Sequence, residues 1–301
     1  MKKIVIILLL LLTACTNTGQ SQTYTGTDGV NLEFISSQPP STVYDNTEFP
    51  ISLRVTNNGA YDIEDENNPI IISSNLASAY HIQPVNTEIT EDKEITLEGK
   101  RGGRRGEQTT MLLGQFTSAN TDRTLQEGKE EIIIDACYPY TTTFSSSICA
   151  RNDFSLTDNT VCQPRETYRF RSQGAPIAVT EIKPLLTPQG TNNEGVTEFV
   201  PEYVITVQNR GSGTPSISGP DKCNNPSLQN AVQVSASING NHLSCQDEEL
   251  QLSGGEGEIT CQTVHDQPAL RSNYQALIDV NITYDYTASV SKELSVRPRQ
   301  R

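Results

Sequence analysis

Apolar and polar residues alternate with a period of two through Phe49, Ile51, Leu53 and Val55. That is the pattern of a strand with one buried face. The alternation returns at Ile132, Ile134 and Ala136, opening a strand that runs through Tyr140. Shorter strand-like runs lie at 31–36, 70–73, 95–97 and 177–182. Clusters of Asn, Gly, Ser and Pro punctuate these runs, and Asn57-Asn58-Gly59 reads as a turn. A helical period is not sustained anywhere, and residues 76–80 and 125–130 are only weak candidates. The expected fold class is all-β.

The pattern also repeats. Val55-Thr56-Asn57-Asn58-Gly59 matches Val207-Gln208-Asn209-Arg210-Gly211, with Ile51 and Leu53 falling opposite Tyr203 and Ile205. Further on, Tyr138-Pro139-Tyr140-Thr141 matches Tyr284-Asp285-Tyr286-Thr287, with Ile132, Ile134 and Ala136 opposite Ile278, Val280 and Ile282. The offsets are 152 and 146 residues. Two matches in the same order at nearly equal spacing predict two copies of one unit. The boundary falls near Gly174-Ala175-Pro176. Residues 30–174 and 175–298 would then form two tandem β-sandwiches, each with the size and strand rhythm of an immunoglobulin-like domain. Jelly rolls and small barrels share that rhythm.

The stretch 49–63 joins an alternating strand, the Val-x-Asn-x-Gly turn and Ala60-Tyr61-Asp62-Ile63. It resembles the CARDB-type immunoglobulin-like domains of archaeal and bacterial cell-surface proteins. Asn209-Arg210-Gly211 carries the same turn in the second copy. The resemblance implies an adhesion or scaffold module and supplies no catalytic residues.

The N-terminus is of a different kind. Lys2 and Lys3 precede nine apolar residues, Ile4 to Leu12, and then Thr13-Ala14-Cys15. Nine residues are too few for a membrane-spanning helix, which needs about 20. They fit the h-region of a secretory signal peptide. Leu12-Thr13-Ala14-Cys15 resembles the lipobox of prokaryotic lipoproteins. That resemblance makes residues 1–14 a cleaved signal and Cys15 the lipidated new N-terminus, with two or more acyl chains needed for stable anchoring. Together with the CARDB likeness, it gives the chain the look of an archaeal surface lipoprotein. Residues 15–29, rich in Thr, Gln, Gly and Ser, read as a flexible tether. Two stacked sandwiches would then carry the second copy and the basic tail 299–301 farthest from the membrane.

Composition narrows the partners. The chain has 22 basic and 36 acidic residues, net charge −14, and no tryptophan. Loss of residues 1–14 would remove two lysines and leave 20 against 36, a net of −16. Nucleic acid is a poor partner for such a surface. Beyond Cys15 stand Cys137, Cys149, Cys162, Cys223, Cys245 and Cys261. An even number in an exported chain predicts disulfides. No CxxC pair is present, so a zinc site is disfavoured. Six cysteines allow 15 connectivities. Cys149–Cys162, across a polar loop, and Cys245–Cys261, across Gly254-Gly255, are the best candidates.

Candidate chemistry is sparse. His81, His242 and His265 are scattered, and Asp266 beside His265 points to the opposite face if both lie in a strand. The chain has no GxSxG, P-loop, HExxH or GxGxxG motif. No catalytic residue, metal or cofactor is assigned. The acidic run Asp62, Glu64, Asp65 and Glu66 offers oxygen ligands for calcium, against a simple solvated loop. Lys100, Arg101, Arg104 and Arg105, spaced by Gly102 and Gly103, offer an anion contact for lipid headgroups, acidic glycan or an acidic subunit, against an exposed hairpin. Arg297, Arg299 and Arg301 form a second basic group, and Asn281-Ile282-Thr283 is the one glycosylation sequon.

The expected function is that of a non-enzymatic, lipid-anchored protein on the outer face of a membrane. It would serve adhesion, envelope structure or assembly of a surface complex through a protein or glycan partner. One alternative is a subunit of an extracellular filament or pilus-like assembly. The other is a solute-binding lipoprotein of a transporter, a class usually built from alternating strands and helices.

Overall fold

The computed structural model describes residues 25–78, 81–85, 93–118, 128–150, 162–191, 195, 197–219, 223, 225–264 and 273–298. In chain order the first strands are β1 (Val30–Phe34), β2 (Thr42–Tyr44), β3 (Glu48–Asn57), β4 (Ile70–Ser74), β5 (Ile82–Pro84), β6 (Lys93–Ile95), β7 (Gln108–Ser118) and β8 (Gly128–Ala150). There follow β9 (Tyr168–Arg169), β10 (Ile177–Thr191), β11 (Thr197–Asn209), β12 (Thr214–Ser216), β13 (Ala231–Ile238), β14 (Asn241–Cys245), β15 (Glu249–Gln251), β16 (Glu256–Thr263) and β17 (Tyr274–Arg297). No α-helix occurs among the described residues. The weak helical candidate at 76–80 is a single 3-10 turn, Asn75–Ser78, and residues 128–130 of the other belong to β8.

The fold is an all-β sandwich whose strands pair antiparallel, except β2, which adds parallel to β17. One sheet runs β1-β3-β7-β5. A thirteen-stranded sheet runs β6-β4-β8-β17-β13-β14-β16-β11-β10-β9, with β2, β12 and β15 at its margins. The β13–β14 pairing covers only Ser237↔His242 and Ile238↔Asn241. β3 buries Phe49, Ile51, Leu53 and Val55, the alternating set of the sequence. β8 buries Ile132, Ile134, Ala136, Tyr138 and Tyr140 on one face, keeping the same parity through Thr142 and Phe144.

The sequence repeat reappears as a repeat of strand pairing. Val30 pairs with Asn57, and Ile177 pairs with Asn209. Thr56 pairs with Gln108, and Gln208 pairs with Glu256. Ile72 pairs with Ala136 on β8, and Val234 pairs with Ile282 on β17. The two copies do not simply follow each other end to end. β8 and β17 pair antiparallel along almost their full length. Tyr138 lies opposite Tyr286 and Tyr140 opposite Tyr284, with Pro139 and Asp285 between them. An offset of 146 maps Tyr138 onto Tyr284 and Tyr140 onto Tyr286. A pseudo-two-fold axis therefore passes through the Pro139–Asp285 pair, and the buried apolar residues of both copies belong to one contiguous core.

Candidate functional site

The junction of the copies is built from four tyrosines and two asparagine turns. Asn57 ends β3 fully buried, and its side chain closes the turn: Oδ1 accepts from Gly59 N–H at 3.1 Å, while Nδ2 donates to Tyr61 O at 2.8 Å and Leu97 O at 3.2 Å. Asn209 ends β11 in the same way, accepting from Gly211 N–H at 3.1 Å and donating to Gly213 O at 2.9 Å. The short amide side chain folds the backbone back on itself, which is why Asn followed by Gly suits this place.

Each turn is gripped by a tyrosine from the shared strands. Tyr140 hydroxyl accepts from Ala60 N–H at 2.8 Å and Tyr61 N–H at 3.2 Å, and donates to Gly174 O at 2.6 Å. Tyr286 hydroxyl accepts from Gly213 N–H at 2.8 Å and donates to Asn209 Oδ1 at 3.1 Å. The inner pair reaches the facing strands: Tyr138 hydroxyl accepts from Val30 N–H at 3.0 Å, Tyr284 hydroxyl from Ile177 N–H at 3.3 Å. A side chain on Gly59 or Gly211 would meet Tyr140 Oη or Tyr286 Oη, so both positions need glycine for close approach. The rings pack at matching distances, 5.8 Å for Tyr138–Tyr286 and 5.7 Å for Tyr140–Tyr284. Burial pushes all four hydroxyls up, Tyr140 to about 12. Gly174, Ala175 and Pro176 are buried against this cluster, and Gly174 O also accepts from Ala60 N–H at 2.7 Å. These hydroxyls are hydrogen-bonded to backbone and serve architecture.

The cysteines pair in three bridges. Cys149 bonds Cys162 and Cys245 bonds Cys261, the two pairings that spacing picks out. Cys245 and Cys261 lie opposite each other on β14 and β16. The third bridge joins Cys137 on β8 to Cys223 across 86 residues, tying the first copy to a loop of the second. Cys15, residues 1–24, His265, Asp266, Arg299 and Arg301 lie outside the described residues.

The acidic run is not gathered around a common point. Asp62 takes the Arg101 guanidinium and accepts from Gly99 N–H at 2.8 Å. Partial burial pushes its carboxyl up, but the bonds from Arg101 and Gly99 outweigh that and hold it below the ordinary range. Asp65 accepts from the backbone and side chain of Asn67, and Glu64 and Glu66 are exposed. Among the described residues no three carboxylate, imidazole or thiolate groups come together as a metal site. The basic cluster tips an exposed hairpin. Gly102 and Gly103 turn at φ +53° and +82°, Arg104 N–H bonds Arg101 O, and Arg104 and Arg105 project outward. Arg101 is paired with Asp62. His81 N–H donates to Glu130 and the ring lies against Gly128, whereas His242 is exposed in the β13–β14 hairpin. Asn281 is an exposed residue of β17, paired with Thr143 and Ser235.

The cavity worth following was not legible as a motif. An open groove of about 350 Å³ lies beside the end of β8, lined by Ser146, Ser147, Ile148, Arg165, Tyr168 and Phe170 among others. Tyr168 hydroxyl accepts from Cys149 N–H at 2.9 Å, Arg165 lies over the Tyr168 ring at 5.9 Å, and Phe170 packs edge-on against Phe144 at 4.6 Å. The usable signal is the neutral run Thr141-Thr142-Thr143-Phe144-Ser145-Ser146-Ser147-Ile148, free of charge and proline in a net acidic chain.

No family model matches this chain, and no curated protein matches it. The fold class therefore rests on the structure alone.

Proposed function

We propose that this chain is an exported, non-enzymatic surface protein, held at the outer face of a membrane by a lipid on Cys15, that serves adhesion, envelope structure or assembly of a surface complex. The observation that carries the reading is the disulfide set. All six cysteines beyond Cys15 are bridged, and such bridges persist in oxidising compartments outside the cytoplasm. The signal-like N-terminus and lipobox supply the route and the anchor. The CARDB resemblance supports an immunoglobulin-like binding or scaffold module, and the all-β architecture suits it. No helix of the described residues is long and apolar enough to cross a membrane, so in this reading the acyl chains do the anchoring.

Replacing Cys15 by Ser tests the anchor. The substituted protein should leave the membrane fraction for the soluble one. Retention in the membrane after signal cleavage would remove the anchor from the account. Crosslinking on intact cells then tests the role: a recurrent protein or glycan neighbour is expected, and only lipid with random neighbours would argue for a passive envelope part.

A further inference from the structure

β8 runs well past its outer neighbour. β4 pairs with it only from Ile134 to Cys137, and beyond that point, among the described residues, its ladder runs to β17 alone. The Cys149 N–H points away from β17, to the Tyr168 hydroxyl. Main-chain groups in an antiparallel pair alternate between facing the partner and facing away. Ser147, Ser145 and Thr143 therefore also turn N–H and C=O outward. Among the described residues no main-chain group pairs with them there.

Several other strand edges among the described residues are blunted. β1 carries Glu33, β5 Pro84, β6 Lys93 and Glu94, β9 Arg169, and β10 Lys183, Pro184 and Pro188. Charges and prolines on edges prevent unwanted strand pairing. The 141–148 stretch of β8 has neither, whereas its twin on β17, residues 287–294, carries Lys292 and Glu293. The chain also shows what such an edge accepts. β2 adds parallel to β17 at Ser295, Val296 and Arg297, with Val43 turned into the core. The groove beside Ile148 and Phe170 gives room for side chains of an added strand, and Arg165 is exposed at its rim.

We propose that the 143–147 edge of β8 accepts an extended strand from another protein. Its β-branched apolar residues would enter the groove, and an acidic residue would meet Arg165. This is the strand-addition mode of recognition. A second copy is a poorer donor, because its β10 edge lacks donors at Pro184 and Pro188 and its net charge of −14 repels an identical body. The inference deepens the assembly reading by naming the kind of partner, and it does not depend on the lipid.

The test uses the full chain with Cys15→Ser and a nine-residue peptide alternating Thr and Val between terminal Asp residues. Amide hydrogen exchange is followed by NMR. In the free protein the amides of Thr143, Ser145 and Ser147 should exchange quickly, while those of Thr142 and Phe144, bonded to β17, exchange slowly. Millimolar peptide should slow the three outward amides at least about tenfold. Ser145→Pro removes an outward N–H and should abolish the protection. Thr143→Lys, which adds an edge charge on an exposed side chain, should do the same if Ser145→Pro fails to fold. Arg165→Ala should weaken binding about fivefold. Slow exchange of the three amides in the free protein, no response to peptide, or protection that survives both variants would overturn the proposal. Protection that rises with protein concentration alone would assign the edge to a second copy and overturn it too. Membrane release by Cys15→Ser is a separate readout, so failure here leaves the anchor untouched.

Discussion

The two copies grip their turns alike and close their edges differently. In both, an asparagine ends a strand, a glycine two residues later makes room, and a tyrosine hydroxyl from the shared strands holds the loop. The ends of the shared strands diverge. β17 is completed by main-chain pairing with β2, where Ser295 N–H donates to Ser41 O and Asp45 N–H to Arg297 O. Its twin position on β8 is Cys149, whose N–H goes to a tyrosine side chain and whose sulfur bridges Cys162. The same backbone need is met once by a strand and once by a hydroxyl and a disulfide. The shared feature sits on the axis where both copies constrain each other, and the divergent one sits at the periphery.

Substitutions at the two turns break the comparison hardest. Gly59→Val and Gly211→Val each drive a side chain into a tyrosine hydroxyl, and each should cost about 3 kcal/mol in urea unfolding. Equal large losses would show that both turns matter to one fold. The asparagines should separate the copies. Each side chain makes three hydrogen bonds, but Asn57 is fully buried whereas Asn209 is partly exposed. Asn57→Ala should cost about 3 kcal/mol and Asn209→Ala about 1 kcal/mol.

The edge closures sharpen the contrast. Removing the Cys149–Cys162 bridge with paired serine substitutions opens a separation of 13 residues and should cost about 3 kcal/mol in the chain-entropy picture. Val43→Ala empties a buried site on β2 and should cost about 2 kcal/mol.

Alkaline pH gives the latest effect. Burial raises the folded-state tyrosines above their ordinary value of 10.0, with Tyr140 at about 12. The unfolded chain therefore loses its tyrosine protons first. Stability from these groups is intact below the unfolded value and falls as pH rises from 10.0 through about 12. Absorbance of tyrosinate should show Tyr138, Tyr140 and Tyr284 silent until the fold gives way.

Much of the architecture was legible because it rests on local signals. Period-two alternation located β3 and the start of β8, and the repeated Asn-x-Gly and Tyr-x-Tyr elements marked residues that proved equivalent in register. The two short-range bridges followed from spacing. What stayed hidden depends on long-range pairing. β8 extends ten residues past Tyr140 through Thr and Ser, which carry no strong apolar signal. Its pairing with β17, and the Cys137–Cys223 bridge across 86 residues, depend on contacts between the copies. The acidic run looked like a ligand set, yet Asp62 is taken by Arg101 and Asp65 by Asn67. The sequence did not show which backbone groups would compete for those carboxylates.

The central claim is that the two copies form one cooperative unit through β8, β17 and the tyrosines between them. Calorimetric unfolding of the full chain with disulfides intact tests it most directly. A single transition, with calorimetric and van't Hoff enthalpies equal, is the expected result. Gly59→Val and Gly211→Val should each shift that one transition. Two separate transitions, each moved by only one of these substitutions, would contradict the claim.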